Sequence, residues 1–298
     1  MIAGGHMNIN DLTIFRTVVQ TGSFSKAATA LNYTQSNISM KIQSLEALYE
    51  TTFFYRGHRG IRLTPKGEQF YELVLKMLHL YEKTFEIIHD TEEQRGVLRI
   101  GSMETTAALH LPTLLSTFHQ AHEQVDITIL TSPSQHNIER VENYELDGAF
   151  VTGPVYKENI MMKEFVCEEL VILTSSKHKP IKHLQDLEGS SVITFRHGCS
   201  YRAILEHWLH EEGVRPQNRM ELGTLDGIIG CVAAGLGITL LPRAIAEKYM
   251  ATQALTLHII KNKQAHIPTW FIYRKDEVQS PILTYFLEAI EAYDYPTV

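Results

Sequence analysis

The chain has 298 residues, 44% of them hydrophobic, and a formal net charge of −7. This length and apolar content suffice for two or three separately packed domains. No run of eighteen apolar residues is present to span a bilayer, and no secretory signal opens the sequence, so we expect a cytoplasmic protein without a membrane partner. The opening letters MIAGGH, residues 1–6, are typical of a vector remnant.

The sequence lacks the motifs that carry the chemistry of common enzymes and metal proteins. Its three cysteines, Cys167, Cys199 and Cys231, lie far apart and form no CxxC pair, which indicates a reducing compartment and argues against a zinc site. The fifteen histidines are scattered, and no GxGxxG, Walker A, GxSxG or HExxH sequence occurs. We therefore expect neither an enzyme nor a resident metal or cofactor.

The first patterned segment, residues 22–67, predicts a helix-turn-helix. Ser23 or Ser25 can cap a short helix, because a side-chain oxygen at that position accepts from a free backbone N–H. The small residues Ala27 and Ala28 would let a second helix cross this one closely.

That second helix is predicted to begin after Asn32, which suits a left-handed helix stop, with Thr34 as its N-cap. Apolar residues at helical spacing would face the core, namely Ile38, Ile42, Leu45 and Leu48. The polar residues between them would face outward and could reach base edges and phosphates in a major groove: Gln35, Ser36, Asn37, Ser39 and Lys41. Residues 7–64 carry six Lys or Arg against three Asp or Glu, a net +3, so positive potential is confined to this end.

A basic wing follows the predicted helix pair. The run Phe53-Phe54-Tyr55 can anchor a strand, and RGHRG then makes a tight turn before a second strand. Arg59 at the tip is the candidate for insertion into an A·T-rich minor groove, whereas Arg56 and Lys41 are expected to bind phosphates. The full predicted DNA-binding set is Ser23, Thr34, Gln35, Ser36, Asn37, Ser39, Met40, Lys41, Arg56 and Arg59. The alternative is a three-helix bundle that touches no DNA, with the wing as a solvated loop.

These residues resemble the DNA-binding end of a LysR-type transcriptional regulator, whose pattern runs S-x-AA-x-x-L-x-x-[ST]-QS-x-[IV]-S-x-x-I-x-x-LE, then LF-x-R and LT-x-x-G. The matching residues are Ser25, Ala27, Ala28, Leu31, Thr34, Gln35, Ser36, Ile38, Ser39, Ile42, Leu45, Glu46, Phe54, Arg56, Leu63, Thr64 and Gly67. Tyr49 stands where the family commonly has a glycine, and Met40 stands where many members have an arginine. The resemblance covers the whole chain, and the runs LNYTQSN, LDGAFVTGP and GCSYR are most similar to CzcR-like members.

A long linker helix is predicted over residues 65–90, because Thr64-Pro65 is a helix start signal. Its apolar residues recur at spacings of three and four: Phe70, Leu73, Val74, Met77, Leu80, Tyr81, Thr84 and Ile88. One helix cannot bury such a stripe alone, so we expect a homodimer, with packing on the same chain as the alternative. Residues 91–96 are predicted to be a polar hinge. The resemblance implies that dimers pair into tetramers and that RNA polymerase is a further partner.

From residue 97 onward, strand-like runs alternate with amphipathic helices, the first two near residues 107–119 and 137–146, which predicts an α/β unit with a parallel sheet. The resemblance implies a two-lobed sensor over residues 97–298, similar to a small periplasmic binding protein. Lobe I would comprise residues 97–165 and 268–298, and lobe II residues 166–267. The predicted fold is therefore an all-α winged helix-turn-helix, a linker helix and a two-lobed α/β sensor.

Ligands of such sheets bind beyond the carboxyl ends of strands, beside helix N-termini that favour anions. This rule selects Ser102, Thr105, Thr106, Thr131, Thr152, Cys199, Tyr201, Arg202 and Thr224. Arg202 offers a fork that could hold a carboxylate, with Ser102 or Thr105 at the opposite end of the ligand. We therefore expect a small anionic or polar effector, although each Ser or Thr alone could be a plain helix cap. Cys199 could be an oxidant-sensing thiol near a helix N-terminus, or a buried inert one.

The sequence thus predicts a sequence-specific DNA-binding transcriptional regulator controlled by an effector that binds between two lobes and shifts their orientation. Two alternatives remain open at this point. One is an enzyme whose C-terminal α/β unit catalyses while the first domain only docks. The other is an architectural DNA binder that needs no ligand.

Overall fold

The computed structural model describes residues 7–57, 60–88, 96–260, 265–275 and 280–294. It divides into two units, Met1–His89 and Asp90–Val298. Across the described ranges, no helix combines the length and the apolar character that a membrane span requires.

The first unit contains four helices and a hairpin. In chain order these are α1 (Ile9–Thr21), α2 (Phe24–Leu31), α3 (Gln35–Leu48), β1 (Phe54–Gly57), β2 (Gly60–Leu63) and α4 (Pro65–Ile88). The fully buried ring of Phe15 on α1 packs against Phe53, Phe54 and Phe70, with ring centroids 5.0–5.4 Å apart. These aromatic contacts hold the hairpin and the start of α4 on the three-helix core.

The second unit is an α/β structure. Its strands are β3 (Gly96–Ser102), β4 (Val125–Thr131), β5 (Gly148–Thr152), β6 (Ile160–Ser175), β7 (Val192–Phe195), β8 (Arg219–Leu222), β9 (Thr239–Pro242), β10 (Leu255–His258) and β11 (His266–Arg274). Its helices are α5 (Glu104–Leu109), α6 (Leu111–Ala121), α7 (Ser134–Glu142), α8 (Ser200–Glu211), α9 (Leu225–Ala233), α10 (Arg243–Met250) and α11 (Pro281–Glu291), with a 3-10 turn at Leu184–Leu187.

Strand β6 runs through two lobes. Its first part, Ile160–Glu169, pairs antiparallel with β11, in a sheet that continues through β5, β3 and β4. Its last part, Leu170–Ser175, pairs with β9 and β10. Lobe I therefore contains β3–β5, α5–α7, α11 and the β6–β11 pair, and lobe II contains β7–β10, α8–α10 and the end of β6.

Both faces of each lobe's sheet are covered, as an α/β sheet requires. In lobe II, Leu170 and Ile172 of β6 belong to the core around Trp208 of α8, whereas Val171 and Leu173 face the core around Ile228 of α9. Successive side chains of a strand point to opposite faces, so this strand lies between two helix layers.

A proline divides the helix that the sequence predicts near residues 107–119. Pro112 has no N–H to donate to the Ala108 carbonyl, so α5 ends at Leu109 and α6 begins at Leu111. The Ala108 carbonyl instead accepts a hydrogen bond from Lys248 Nζ of α10, at 2.9 Å. The sequence analysis did not predict α10, and it placed the start of α7 at residue 137 instead of Ser134.

Candidate functional site

The turn between α2 and α3 is set by three local signals. Ser23 caps α2 by accepting from the Lys26 N–H at 3.4 Å, and Thr34 caps α3 by accepting from the Asn37 N–H at 3.3 Å. Between them, Asn32 ends α2 in the left-handed region with φ 57°. The predicted helix-turn-helix is therefore confirmed, with both of its predicted caps in place.

Helix α3 presents a polar face to solvent at its first two turns. Its buried residues are the predicted ones, Ile38, Ile42 and Leu45. Gln35, Ser36 and Met40 are exposed, and Asn37 and Ser39 are half-buried. The Ser25 hydroxyl donates to Gln35 Oε1 at 2.9 Å, which holds this glutamine at the helix start. The face is chemically able to donate to and accept from base edges.

Lys41, which the sequence assigns to phosphate binding, has an ion-pair partner inside the first unit, and its contact with DNA stays a prediction. Its Nζ is half-buried and lies 2.9 Å from Oδ1 of Asp11 on α1. The same aspartate closes the capping box of α1, because its Oδ2 accepts from the Asn8 N–H while its own N–H donates to Asn8 Oδ1. Lys41 thus ties α3 to the start of α1, since a nearby carboxylate holds the ammonium inside the unit.

The hairpin after α3 has the predicted wing arrangement. Phe54 pairs with Leu63, and Arg56 lies opposite Ile61 in the β1–β2 register. Glu46 of α3 anchors the first strand, because its Oε1 accepts from the Phe53 N–H at 2.8 Å. The predicted tip residue Arg59 lies outside the described residues, and Arg56 is described by its backbone alone.

The turn from α3 to the wing forms without the glycine that the family commonly has. Tyr49 keeps φ −96°, and the following residue, Glu50, takes the left-handed conformation with φ 48°. The Tyr49 ring lies 5.9 Å from the Phe53 ring and 5.1 Å from the Phe70 ring, measured between centroids. The bulky Tyr49 side chain therefore packs on the aromatic core, and Glu50, the next residue, takes the strained left-handed conformation.

Helix α4 has one face in the core of its unit and another exposed. Phe70 and Val74, both from the predicted stripe, are buried against the first unit's core. Other large apolar side chains on one side of the helix remain exposed, from Leu73 (57%) to Ile88 (76%), with Leu80, Tyr81 and Phe85 between them. A row of large apolar side chains at helical spacing is a surface that a partner helix can cover.

A cavity of about 310 Å³ opens between the two lobes of the second unit. Lobe I supplies the start of α5 and the loop from β4 to α7, and lobe II supplies the loop from β7 to α8 and the end of β8. The hydroxyl groups in its wall belong to Thr105, Thr131, Ser132, Ser134 and Tyr201. The apolar side chains are Met103, Phe195 and Leu222, and the charged or imidazole side chains are Glu104, His136, Arg196 and His197. Ligand-binding cavities in proteins commonly have this mixture.

The structure divides the residues that the sequence selected for the effector into three groups. Thr105, Thr131, Cys199 and Tyr201 line the cavity. Thr152 and Arg202 line a neighbouring, more open cleft of about 450 Å³, which also contains Cys199. Ser102, Thr106 and Thr224 are absent from the described walls of both the cavity and the cleft. Ser102 donates to the Met103 carbonyl, Thr106 is buried, and Thr224 caps α9 by accepting from the Gly227 N–H.

Arg202 does not offer the free guanidinium that the sequence predicts for a carboxylate, and this role is corrected. Its Nε lies 3.1 Å from Glu206 and its Nη1 lies 2.5 Å from Glu221. The helical spacing of four residues brings Glu206 to it, and β8 brings Glu221. Two carboxylates therefore already hold the fork.

The Cys199 thiol lacks the lowered pKa that oxidant sensing needs. Burial raises the pKa of this thiol, and the N–H groups of Arg202 and Tyr201 offset that rise only in part. A thiol with a raised pKa is a poor nucleophile at neutral pH, because the thiolate is the reactive form. Cys199 is half-buried and lines the cavity, and the raised pKa of its thiol favours the inert alternative.

Behind the cavity wall lies a buried polar cluster that the sequence analysis missed. Glu168 of β6 is buried, with Oε1 3.2 Å from His110 Nε2, while Oε2 accepts from the hydroxyls of Tyr201 at 3.4 Å and Thr269 at 3.3 Å. Thr105 Oγ1 lies 3.2 Å from the Tyr201 hydroxyl. No sequence pattern could have identified Glu168, because it lies inside a strand-like run. Arg196 could have been identified, because it directly follows β7 and so satisfies the same strand-end rule that selected Cys199, Tyr201 and Arg202.

A helix-turn-helix with an exposed polar face, joined to an α/β unit with a cavity between its lobes, defines a DNA-binding regulator with a ligand-binding unit. The family models agree: the bacterial regulatory helix-turn-helix protein, lysR family, matches residues 9–68, and the LysR substrate binding domain matches residues 91–294. The chain belongs to the LysR family of transcriptional regulators, as its sequence motifs predict.

Curated relatives share most of the chain's length. The transcriptional regulator GltR of Bacillus subtilis (strain 168) is 44% identical over 281 residues, covering 94% of this chain and 95% of GltR. The regulator CzcR of Bacillus anthracis is 35% identical over 289 residues, covering 97% of this chain and 99% of CzcR. The predicted similarity to CzcR-like members is therefore confirmed, although GltR shares more residues.

Solved structures support the fold. A full-length OxyR from Pseudomonas aeruginosa superposes with a TM-score of 0.72 at 20% identity, covering 97% of this chain and 96% of that one. The LysR family regulator CbnR superposes with a TM-score of 0.68 at 20% identity, covering 96% and 99%. The predicted fold class, a helix-turn-helix followed by a two-lobed α/β unit, is confirmed.

Proposed function

We propose that this regulator reads duplex DNA with the exposed face of α3, and that a small anionic or polar effector in the cavity between the lobes controls this activity. The observation that carries the first part is the face itself, where Gln35, Ser36 and Ser39 project from a helix that Thr34 caps and Lys41 ties to α1. Side-chain amides and hydroxyls at the start of a recognition helix are the groups that distinguish base pairs.

Selection from a random pool of DNA duplexes by the purified chain tests this reading. We expect enrichment of one short sequence, and Gln35→Ala and Ser39→Ala should bind it more weakly while their binding to random duplex stays nearly unchanged. Gln20→Ala, an exposed glutamine on α1, is the matched control and should behave as the wild type. Equal losses on selected and random duplexes would contradict base reading by these side chains.

The exposed stripe on α4 supports the proposal that the chain acts as a homodimer through its linker helix, with dimers pairing into tetramers as in the family plan. Burying about five large apolar side chains against a second copy would stabilise a dimer by several kcal/mol. Sedimentation of Leu80→Glu should show a shift toward monomer, whereas Glu72→Lys, also exposed on α4 but outside the stripe, should sediment as the wild type. Unchanged sedimentation of Leu80→Glu would place the dimer contact elsewhere.

For the second unit we propose ligand binding without catalysis, and no resident cofactor. Supporting this, the Cys199 thiol has a raised pKa and the Glu168 carboxylate lies behind Tyr201, so neither is poised as a nucleophile or base. Because its DNA target is the chromosome, we also place the protein in the cytoplasm. Contact with RNA polymerase remains a prediction from the family resemblance.

An effector distinguishes this proposal from that of an architectural DNA binder. A ligand that binds the native state raises its melting temperature by mass action. A thermal-shift screen of small carboxylates, phosphates, sugars and aromatic compounds on the full chain should therefore give at least one concentration-dependent rise. A screen without any rise would favour the architectural alternative.

A further inference from the structure

The inner wall of the cavity has a defined hydrogen-bond polarity. The Tyr201 hydroxyl donates to Glu168 Oε2 at 3.4 Å. The Tyr201 oxygen then accepts from Thr105 Oγ1 at 3.2 Å. Because the Tyr201 hydroxyl also has a side-chain hydrogen bond with Thr152, the Thr105 oxygen is the acceptor available to a ligand.

This direction does not reverse near neutral pH. Burial, together with the nearby Glu168 carboxylate, raises the pKa of Tyr201 well above its usual value, so the phenol keeps its proton. The Thr269 hydroxyl donates to the same carboxylate oxygen, and His110 Nε2 lies beside the other one. A ligand group that meets the Thr105 oxygen can therefore donate a hydrogen bond to it.

The cavity wall also carries a cation. Arg196 is exposed on the cavity wall, and in the part of the chain that the structure describes no carboxylate pairs with it. Arg202 and Arg243 of the same lobe are each held by two carboxylates. The guanidinium of Arg196 lies over the backbone of Gly223, where an added Cβ would stand 3.3 Å from its Cζ. The missing side chain at residue 223 leaves room for this placement.

We propose that the effector is a small carboxylate that also bears a hydroxyl or ammonium group, with Arg196 binding its carboxylate and the Thr105 oxygen accepting from its donor. This inference rests on the proposed function, since it names the ligand class of the same cavity. Met103, Phe195 and Leu222 also line the wall and suit a short hydrocarbon spacer in the ligand. The cavity volume of about 310 Å³ lies at the lower end of ligand sites, which limits the effector to a small metabolite.

Isothermal titration of the full chain with matched probes tests this class. The probes are butyrate, 4-hydroxybutyrate, 4-aminobutyrate and 4-hydroxybutanamide, together with their six-carbon counterparts. We expect the hydroxy or amino acid of one length to bind at least 10-fold more tightly than the unsubstituted acid, and the neutral amide to bind at least 10-fold more weakly than the hydroxy acid.

Two variants separate the two ends of the site. Arg196→Gln should lower the affinity for the best-binding probe about 10- to 100-fold, because it removes a charge-assisted pair. The control is Arg215→Gln, at an exposed arginine of the same lobe away from the cavity, and this variant should bind the probe as the wild type does. Thr105→Val should bind the hydroxy or amino acid no more tightly than the unsubstituted acid titrated on the same variant, which is the loss of the preference.

The proposal is overturned if no donor-bearing acid binds, if it binds no more tightly than the unsubstituted acid, or if Arg196→Gln leaves its affinity unchanged. Two further probes, glucose and glycerol 1-phosphate, are titrated on the same preparation, whose DNA selection is measured in parallel. If one of these probes binds and DNA is selected, only this inference fails. If DNA is not selected, the proposed function fails independently of the ligand.

Discussion

The buried Glu168 carboxylate yields the sharpest stability prediction. Its side chain is 3% exposed and lies beside three potential donors, from His110, Tyr201 and Thr269. These residues come from β6, β11, α8 and the break between α5 and α6, so the carboxylate joins elements of both lobes. Removing it leaves donors without an acceptor in the interior.

The expected cost follows from what each substitution leaves behind. Glu168→Gln retains the shape and one carbonyl oxygen for Tyr201 and Thr269, and its amide can donate to His110 Nε2 if the imidazole carries its proton on Nδ1. The loss is then the charge assistance, about 1–2 kcal/mol. Glu168→Ala removes the acceptor and creates a cavity, and we expect about 3–5 kcal/mol.

Urea unfolding monitored by tryptophan fluorescence measures these costs on the full chain. The chain has two tryptophans, and both Trp208 and Trp270 lie in the second unit, so the signal reports that unit. Glu169→Gln is the matched control, because this neighbouring carboxylate pairs with the partly exposed Arg243 and should cost less than about 1 kcal/mol. Equal midpoints for Glu168→Gln and Glu169→Gln, or a loss below about 1.5 kcal/mol for Glu168→Ala, would refute the reasoning.

Three further predictions concern local features. Thr34→Ala removes the N-cap of α3 and should destabilise this helix by about 1 kcal/mol. Hydrogen exchange over residues 35–48 should then be roughly fivefold faster, and unchanged exchange would contradict a stabilising role of the Thr34 cap. Glu50→Gly should relieve about 1–2 kcal/mol of strain in the left-handed backbone and cost about 0.5–1 kcal/mol in chain entropy, which is a net stabilisation of the fold. We therefore expect slower hydrogen exchange of the first unit's core amides, and faster exchange would refute this reasoning. Burial and the hydrogen bond to Asp226 raise the pKa of Tyr249 to about 12, so the stability from this pair is present below pH 10 and lost as the pH rises through 12. Ultraviolet titration should detect this late tyrosine, and Asp226→Asn should bring its pKa closer to 10, whereas an unshifted titration would exclude the pair.

The sequence predicted the elements whose signals are local. The caps at Ser23 and Thr34 and the stop at Asn32 require only neighbouring residues, and each has the expected geometry. Helix α10 has no comparable signal. Its two buried residues, Ile245 and Ala246, are adjacent and show no helical repeat, and the proline before it, Pro242, is the last residue of β9. A helix so short is fixed mainly by packing, which periodicity does not reveal.

The site depended more strongly on distant contacts. The strand-end rule brought Thr105, Thr131, Cys199 and Tyr201 to one cavity, because the ends of strands in both lobes face each other there. The rule could not show that Glu221, nineteen residues away, occupies the guanidinium of Arg202. In the same way, the partnership of Lys41 with Asp11 joins two helices thirty residues apart in sequence. Ion pairs of this kind follow from the tertiary fold.

The central claim is that α3 lies in the major groove and is presented twice by a dimer. Methylation of a selected duplex by dimethyl sulfate tests it directly, because the reagent attacks guanine N7 in the major groove and adenine N3 in the minor groove. The account predicts that bound protein protects guanine N7 in two half-sites about 10 base pairs apart, or a multiple of that distance. Uniform reactivity of guanine N7 along the bound duplex, or one protected site alone, would contradict it.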